Sequence, residues 1–248
     1  MSKINSTTGK CIFCQKDFSK TSLTRHLNTH FAQKAIEGNP GKSFLVKVET
    51  NPRWGSTPYF LMLWVDGNTT LQKVDTLLRQ IWLECCGHMS AFRLPRNRQS
   101  PLNFFSGLAT GKHAMGMEFT EYGEIDMNGK AKNIFHKDLK LVYEYDFGST
   151  TALQLTILEE YTMAAEKPLV LLSRNEPSQM LCEVCGKEQA TTLCTVCTNQ
   201  ETMFCPKCAK KHAKKCSDFA DYAAMPVVNS PRMGVCDYTG GHIDKERD

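Results

Sequence analysis

Residues 59–82 read YFLMLWVDGNTTLQKVDTLLRQIW and contain a predicted strand, turn and helix in direct succession. Residues 59–65 are continuously apolar, which is typical of a strand buried on both faces. Gly67 and Asn68 predict a turn, and Thr69 with Gln72 fits a capping box that opens a helix. The helical face is marked by apolar side chains at helical spacing, namely Leu71, Val74, Leu77, Leu78, Ile81 and Trp82.

Further strand patterns lie on both sides of this stretch. They cover residues 43–49, 91–94, 141–145, 153–157 and 168–173. Strands therefore outnumber helices, and their short connections favour antiparallel pairing. We predict an α+β central domain with an antiparallel sheet over residues 43–174.

The composition indicates a reduced compartment. The chain has 248 residues and twelve cysteines. No apolar run approaches the roughly 18 residues of a membrane helix, and the first residues lack the apolar core of a signal peptide. We therefore expect a cytoplasmic protein without a membrane partner, in which closely spaced cysteines bind metal rather than form disulfides.

The N-terminal segment, residues 1–36, has the spacing of a Cys2His2 zinc finger. Its four candidate ligands are Cys11, Cys14, His26 and His30. Two thiolates on a tight turn and two histidines one helical turn apart complete a tetrahedron around zinc.

A second cysteine-rich segment, residues 180–219, supplies eight candidate ligands in four pairs. The alternating, cross-brace scheme gives one ion to Cys182, Cys185, Cys205 and Cys208, and another to Cys194, Cys197, His212 and Cys216. A sequential scheme, in which neighbouring pairs share an ion, fits the spacing as well. Both sites would be full and therefore structural, so that the chain as a whole is predicted to bind three Zn²⁺.

The net charge is informative only when it is divided among the segments. The formal value of +4 falls to about +1, since nine thiolates subtract nine charges and three zinc ions add six. Residues 1–35 nevertheless carry six basic side chains and one acidic one. This favours contact with nucleic acid phosphates, for which the candidate residues are Lys16, Ser19, Lys20, Ser22 and Arg25.

The remaining cysteines give no metal signature. Cys85 and Cys86 lie on the apolar helix and are interpreted as core thiols, while Cys236 with His242 is a weak half-site and is interpreted as ordinary tail sequence. The tail, residues 220–248, is apolar enough that we expect it to dock on the central domain.

The central region resembles the plasmid pRiA4b Orf-three-like family, also described as transposon-passenger TnpR-like. The resemblance rests on residues 70–75 (TLQKVD), 88–93 (HMSAFR) and 143–148 (YEYDFG). It implies an α+β domain without a settled activity. Many members have an acidic residue, Trp and His where this chain has Ser149, Thr151 and Leu153, so a polar site built from those residues would be absent.

These observations lead to a functional hypothesis with two alternatives. We expect a non-enzymatic zinc-binding adaptor that associates with DNA or RNA through the basic N-terminal finger. The first alternative is a protein interaction scaffold, because the C-terminal spacing resembles B-box modules, which mostly contact protein. The second is an enzyme that uses the polar segment 95–138, although the sequence identifies no small-molecule substrate.

Overall fold

Mixed α and β structure with mainly antiparallel sheets makes up the two units of the chain. In this computed structural model the described residues are 7–37, 39–51, 58–95, 113–114, 117–118, 123–197, 200 and 202–243. The first unit comprises Met1–Leu77 and Met89–Glu176, and the second comprises Leu78–His88 and Pro177–Asp248.

The first unit is built on a six-stranded antiparallel sheet. The strands of the whole unit are β1 (Thr8–Lys10), β2 (Asp17–Ser19), β3 (Pro40–Thr50), β4 (Phe60–Asp66), β5 (Ser90–Arg93), β6 (His113–Ala114), β7 (Met117–Glu118), β8 (Lys140–Tyr145), β9 (Thr151–Met163) and β10 (Leu169–Arg174). Its helices are α1 (Lys20–Glu37), α2 (Leu71–Leu78), which reaches the boundary of the unit, and α3 (Ala131–Ile134). The large sheet has the order β10-β4-β3-β9-β8-β5. All the strands predicted from the sequence are present.

The N-terminal segment shares a hydrophobic core with this sheet. The α1 side chains Leu23, Leu27 and Phe31 are fully buried in one cluster with sheet residues that include Trp64. The backbone N–H of Ile12 also donates to the carbonyl of Leu172 on β10, at 2.9 Å. The hairpin β1-β2 and α1 therefore pack on the sheet as part of the first unit.

The amphipathic face of α2 is buried as predicted, but the capping box does not form. The hydroxyl of Thr69 donates instead to the carbonyl of Pro168, at 2.6 Å. The first N–H groups of the helix, those of Leu71 and Gln72, donate to backbone carbonyls at Gly129 and Met127. A neighbouring loop thus satisfies the donors that the sequence assigned to side chains.

The second unit has a three-stranded antiparallel sheet and short helices. Its strands are β11 (Thr192–Cys194), β12 (Met203–Phe204) and β13 (Ala224–Pro226), in the order β12-β11-β13. Its helical elements are α4 (Pro206–His212) and two π-helical segments, Arg79–Leu83 and Phe219–Ala223.

The C-terminal tail packs on residues 81–82 within the second unit. The hydroxyl of Ser230 donates to the carbonyl of Trp82 at 2.7 Å, and that of Tyr238 to the carbonyl of Ile81 at 3.4 Å. Docking of the tail on the central domain, residues 43–174, stays a prediction.

Two further expectations from the sequence concern membrane-spanning helices and the polar segment 95–138. In the described ranges, no helix combines the length and hydropathy that a bilayer crossing needs. Most of the polar segment considered for catalysis, residues 96–112, 115–116 and 119–122, lies outside the described residues.

Candidate metal centres

Among the described residues, four groups of cysteine and histidine side chains each bring four ligand atoms within 4.8 Å of one another. They are the N-terminal cluster (Cys11, Cys14, His26, His30), the four-cysteine cluster (Cys182, Cys185, Cys205, Cys208), the His212 cluster (Cys194, Cys197, His212, Cys216) and the tail cluster (Cys85, Cys86, His88, Cys236). Together they contain all twelve cysteines of the chain. Each group could hold a metal ion.

The N-terminal cluster is assembled by a tight turn and a helix. Cys11 and Cys14 lie between β1 and β2, where Gln15 adopts a left-handed conformation (φ 59°) that lets the turn close. His26 and His30 lie one turn apart on α1, with their Nε2 atoms 3.1 Å apart, and Nε2 of His26 lies 3.2 Å from Sγ of Cys14. In a tetrahedron with Zn–N bonds of about 2.0–2.1 Å and Zn–S bonds of about 2.3 Å, two nitrogens lie about 3.3 Å apart, and a nitrogen and a sulfur lie about 3.5 Å apart.

A phenylalanine orients the histidine in this cluster. The rings of Phe18 and His26 are stacked with their centroids 3.9 Å apart. Burial lowers the pKa of His26, and electrostatic interactions with His30 and Lys16 lower it further. The lowered pKa favours the neutral imidazole, which is the form that binds a metal.

The two clusters of residues 180–219 use alternating pairs of ligands. Cys182 and Cys185 meet Cys205 and Cys208, which lie at the start of α4, while Cys194 and Cys197 meet His212 and Cys216. The geometry is that of the cross-brace scheme, and the sequential scheme is not formed. His212 repeats the arrangement of the N-terminal cluster, since its ring stacks on Phe204 with a centroid separation of 4.3 Å.

In the four-cysteine cluster, the surroundings favour the thiolate form of Cys182 and disfavour that of Cys208. Burial acts to raise the pKa of Cys182, but backbone hydrogen bonds from Cys205, Cys185 and Val184 outweigh it and lower the pKa to about 6. Burial together with the neighbouring Cys205 and Cys182 raises the pKa of Cys208 to about 12. A cation at the centre of the cluster would remove this conflict, because it stabilises all four thiolates at once.

The tail cluster corrects two interpretations made from the sequence. Cys85 is half-buried and Cys86 is exposed, so they are not core thiols. Cys236 is not an isolated tail cysteine, because its Sγ lies 3.2 Å from Nε2 of His88 and 3.6 Å from Sγ of Cys86. His242 does not belong to the cluster. Local spacing could not reveal this group, since Cys236 is separated from His88 by 148 residues.

The residues proposed for nucleic acid contact fall into two sets. Lys20 bonds to Glu49 Oε1 at 2.5 Å, and Ser19 lies at the start of α1, where its hydroxyl accepts a hydrogen bond from the backbone of Ser22. Lys16, Ser22 and Arg25 are exposed. Lys20 and Ser19 therefore stabilise the packing and the start of α1. The three exposed residues remain accessible to a partner.

The comparisons with known proteins identify no family. No family model and no curated protein matches the chain. A solved structure of MM3350, a protein of unknown function from Methanosarcina mazei Go1, is similar over 55% of this chain and 68% of its own, with 15% identity and a TM-score of 0.37. A similarity of this size supports no functional inference, and the resemblance to the pRiA4b Orf-three-like family stays a prediction.

Proposed function

We propose that the protein is a non-enzymatic zinc-binding adaptor in which the N-terminal, four-cysteine and His212 clusters each hold one structural zinc ion. The observation that carries this proposal is the number of ligands. Each cluster supplies four ligand atoms, which fill a tetrahedron and leave no position for a reactive water. Sets of thiolate and imidazole ligands in this geometry favour zinc over harder cations.

The number of bound ions tests this part directly. Native mass spectrometry of the purified full chain is expected to show at least three zinc ions. Removal of zinc by a chelator should unfold residues 180–219, because small sites of this kind gain most of their folding free energy from the ion. A chain that binds fewer than three zinc ions would contradict the proposal.

The leading partner is nucleic acid, contacted by the exposed face of the N-terminal segment. Lys16, Ser22 and Arg25 lie on the surface, whereas the opposite side of α1 packs on the sheet. Two other basic residues are less available, since Lys20 is paired with Glu49 and Lys34 with Glu166. This leaves a small basic surface that is suited to phosphate contact with little sequence specificity.

A salt titration of DNA and RNA binding tests this assignment. We expect affinity to fall with added salt, and Arg25→Ala to reduce the slope of log K against log salt by about 1. Lys20→Ala is the matched control, because it removes a basic residue that is already paired, and it should leave the slope close to the wild-type value. Binding that is absent, or that does not change with salt, would remove nucleic acid from the proposal.

The second candidate is a scaffold that binds protein. Three apolar side chains are exposed between the paired cysteines of the metal clusters, namely Ile12 (46% exposed), Val184 (53%) and Val196 (39%). Apolar side chains in these turns are candidates for protein contact. Partners that are retained from a nuclease-treated lysate by the wild type, and lost with Val184→Ser, would favour the scaffold over the nucleic acid adaptor.

A further inference from the structure

We propose that Cys85, Cys86, His88 and Cys236 bind a fourth zinc ion, which fastens the C-terminal tail to residues 85–88 within the second unit. The adaptor function proposed above needs only the other three ions. The fourth site can therefore be tested independently of the adaptor function.

The separations of the ligand atoms fit a single tetrahedral ion. Sγ of Cys86 lies 3.6 Å from Sγ of Cys85 and 3.6 Å from Sγ of Cys236, where a tetrahedral zinc site requires about 3.8 Å. Nε2 of His88 lies 3.0 Å from Sγ of Cys86 and 3.2 Å from Sγ of Cys236. Each contact is a few tenths of an ångström shorter than the ideal edge, as in the N-terminal cluster.

A buried arginine supplies the charge that this ligand set needs. Three thiolates and one Zn²⁺ carry a net charge of −1. The side chain of Arg232 is fully buried, and its guanidinium Nη2 donates to Sγ of Cys85 at 3.5 Å. A guanidinium is always charged, so its burial beside a thiol is favourable when that sulfur is an anion. Outer hydrogen bonds of this kind orient metal ligands and stabilise their charged form.

Backbone contacts on either side of Cys236 place it next to the other three residues. Ser230 and Tyr238 bond to the carbonyls of residues 81–82 on either side of it in the chain. Gly241 packs so closely that an added Cβ would lie 2.0 Å from the carbonyl oxygen of Ile81. The tail therefore has one register against this segment, and that register brings Cys236 to the other three ligands.

A disulfide is the main alternative to a metal, and the geometry disfavours it. An S–S bond requires about 2.05 Å, whereas Sγ of Cys86 lies 3.6 Å from each of the sulfurs of Cys85 and Cys236. A disulfide would also use two sulfurs and leave the third sulfur and the imidazole without a role. A metal ion uses all four groups.

The exposure of the ligands sets this site apart from the other three. Cys86 and Cys236 are exposed, while every cysteine in the other clusters is buried or half-buried. Solvent and chelators reach an exposed ligand first. We therefore expect the fourth ion to leave first, and its loss to free the tail while the other clusters stay loaded.

Native mass spectrometry of the reduced, zinc-saturated full chain tests the site. The wild type should carry four zinc ions, and Cys236→Ser should carry three. The matched control is His242→Gln, which changes a tail histidine outside the cluster and should keep four. Hydrogen exchange over residues 226–241 should become faster in Cys236→Ser and on mild chelation of the wild type, and stay unchanged in the control.

Each result decides the question. Three ions in both the wild type and Cys236→Ser would overturn the fourth site and leave the proposed function standing, whereas fewer than three in the wild type would contradict that function itself. An intact mass about 2 Da low in the unreduced protein, with Cys86 and Cys236 joined, would replace the metal by a disulfide. If Cys236→Ser does not fold, Cys86→Ser and cobalt substitution of the wild type serve instead. Cobalt–thiolate absorbance that corresponds to twelve thiolate ligands would support the fourth site, and absorbance that corresponds to nine would overturn it.

Discussion

Replacing Phe31 by alanine tests whether the N-terminal segment is part of the first unit. The Phe31 ring is fully buried, and its centroid lies 4.9 Å from that of Trp64 and 4.7 Å from that of Tyr161. Truncation of a buried phenylalanine costs about 3–5 kcal/mol, because the lost transfer free energy is joined by the cost of the cavity. In a domain of this size each kcal/mol lowers Tm by about 2–4 °C, so we expect a drop of about 6–20 °C.

The measurement is thermal and urea unfolding of the zinc-saturated chain, followed by tryptophan fluorescence. Phe147→Ala is the matched control, since that ring is 44% exposed and its removal should change the free energy of unfolding by less than about 1 kcal/mol. If Phe31→Ala costs no more than the control, α1 does not pack on the sheet. Both faces of α1 would then be open to a partner.

Three further changes address other contacts. Glu49→Gln should cost about 1 kcal/mol at pH 7. Burial acts to raise the pKa of Glu49, but bonds from two lysines outweigh it and lower the pKa, so the stabilisation is complete at neutral pH. The difference between wild type and variant, measured by urea unfolding, should shrink as the pH falls through the lowered pKa; a constant difference would contradict the pairing. Asp75→Ala removes the buried acceptor of the Tyr143 hydroxyl, at 2.7 Å, and should cost about 2–4 kcal/mol, with a less than additive effect when it is combined with Tyr143→Phe. Gly241→Ala should speed hydrogen exchange in the tail, since its Cβ would collide with the carbonyl of Ile81; unchanged protection would refute the packing.

The parts of the structure that follow from local spacing could be predicted from the sequence. The strand patterns and the candidate ligands of the N-terminal finger depend on residues a few positions apart. The alternating order of pairs also favoured the cross-brace scheme, although only the structure separates it from the sequential one. When local turns bring metal ligands together, the ligands lie at fixed spacings that can be recognised in the sequence.

The features that depend on distant contacts could not be predicted in this way. The capping box at Thr69 failed because the carbonyl of Pro168, which is remote in sequence, captured the hydroxyl. The interpretation of Cys85 and Cys86 as core thiols assumed that the apolar helix extends through them, whereas in the structure it ends at Leu83. Their partner Cys236 comes from the other end of the chain, and no spacing rule applies across such a distance.

The discontinuity of the second unit has a consequence for biosynthesis. Residues 85–88 leave the ribosome well before their last ligand, since Cys236 follows His88 by 148 positions. At about 5–20 residues per second, this interval lasts about 7–30 s. During that time Cys85 and Cys86 are two reduced thiols without their final partner, and the first unit becomes complete in sequence at Glu176, before Cys236 is added. A nascent chain that is stalled or truncated before residue 236 would therefore expose an adjacent pair of thiols, and a thiol-reactive label should distinguish it from the finished protein.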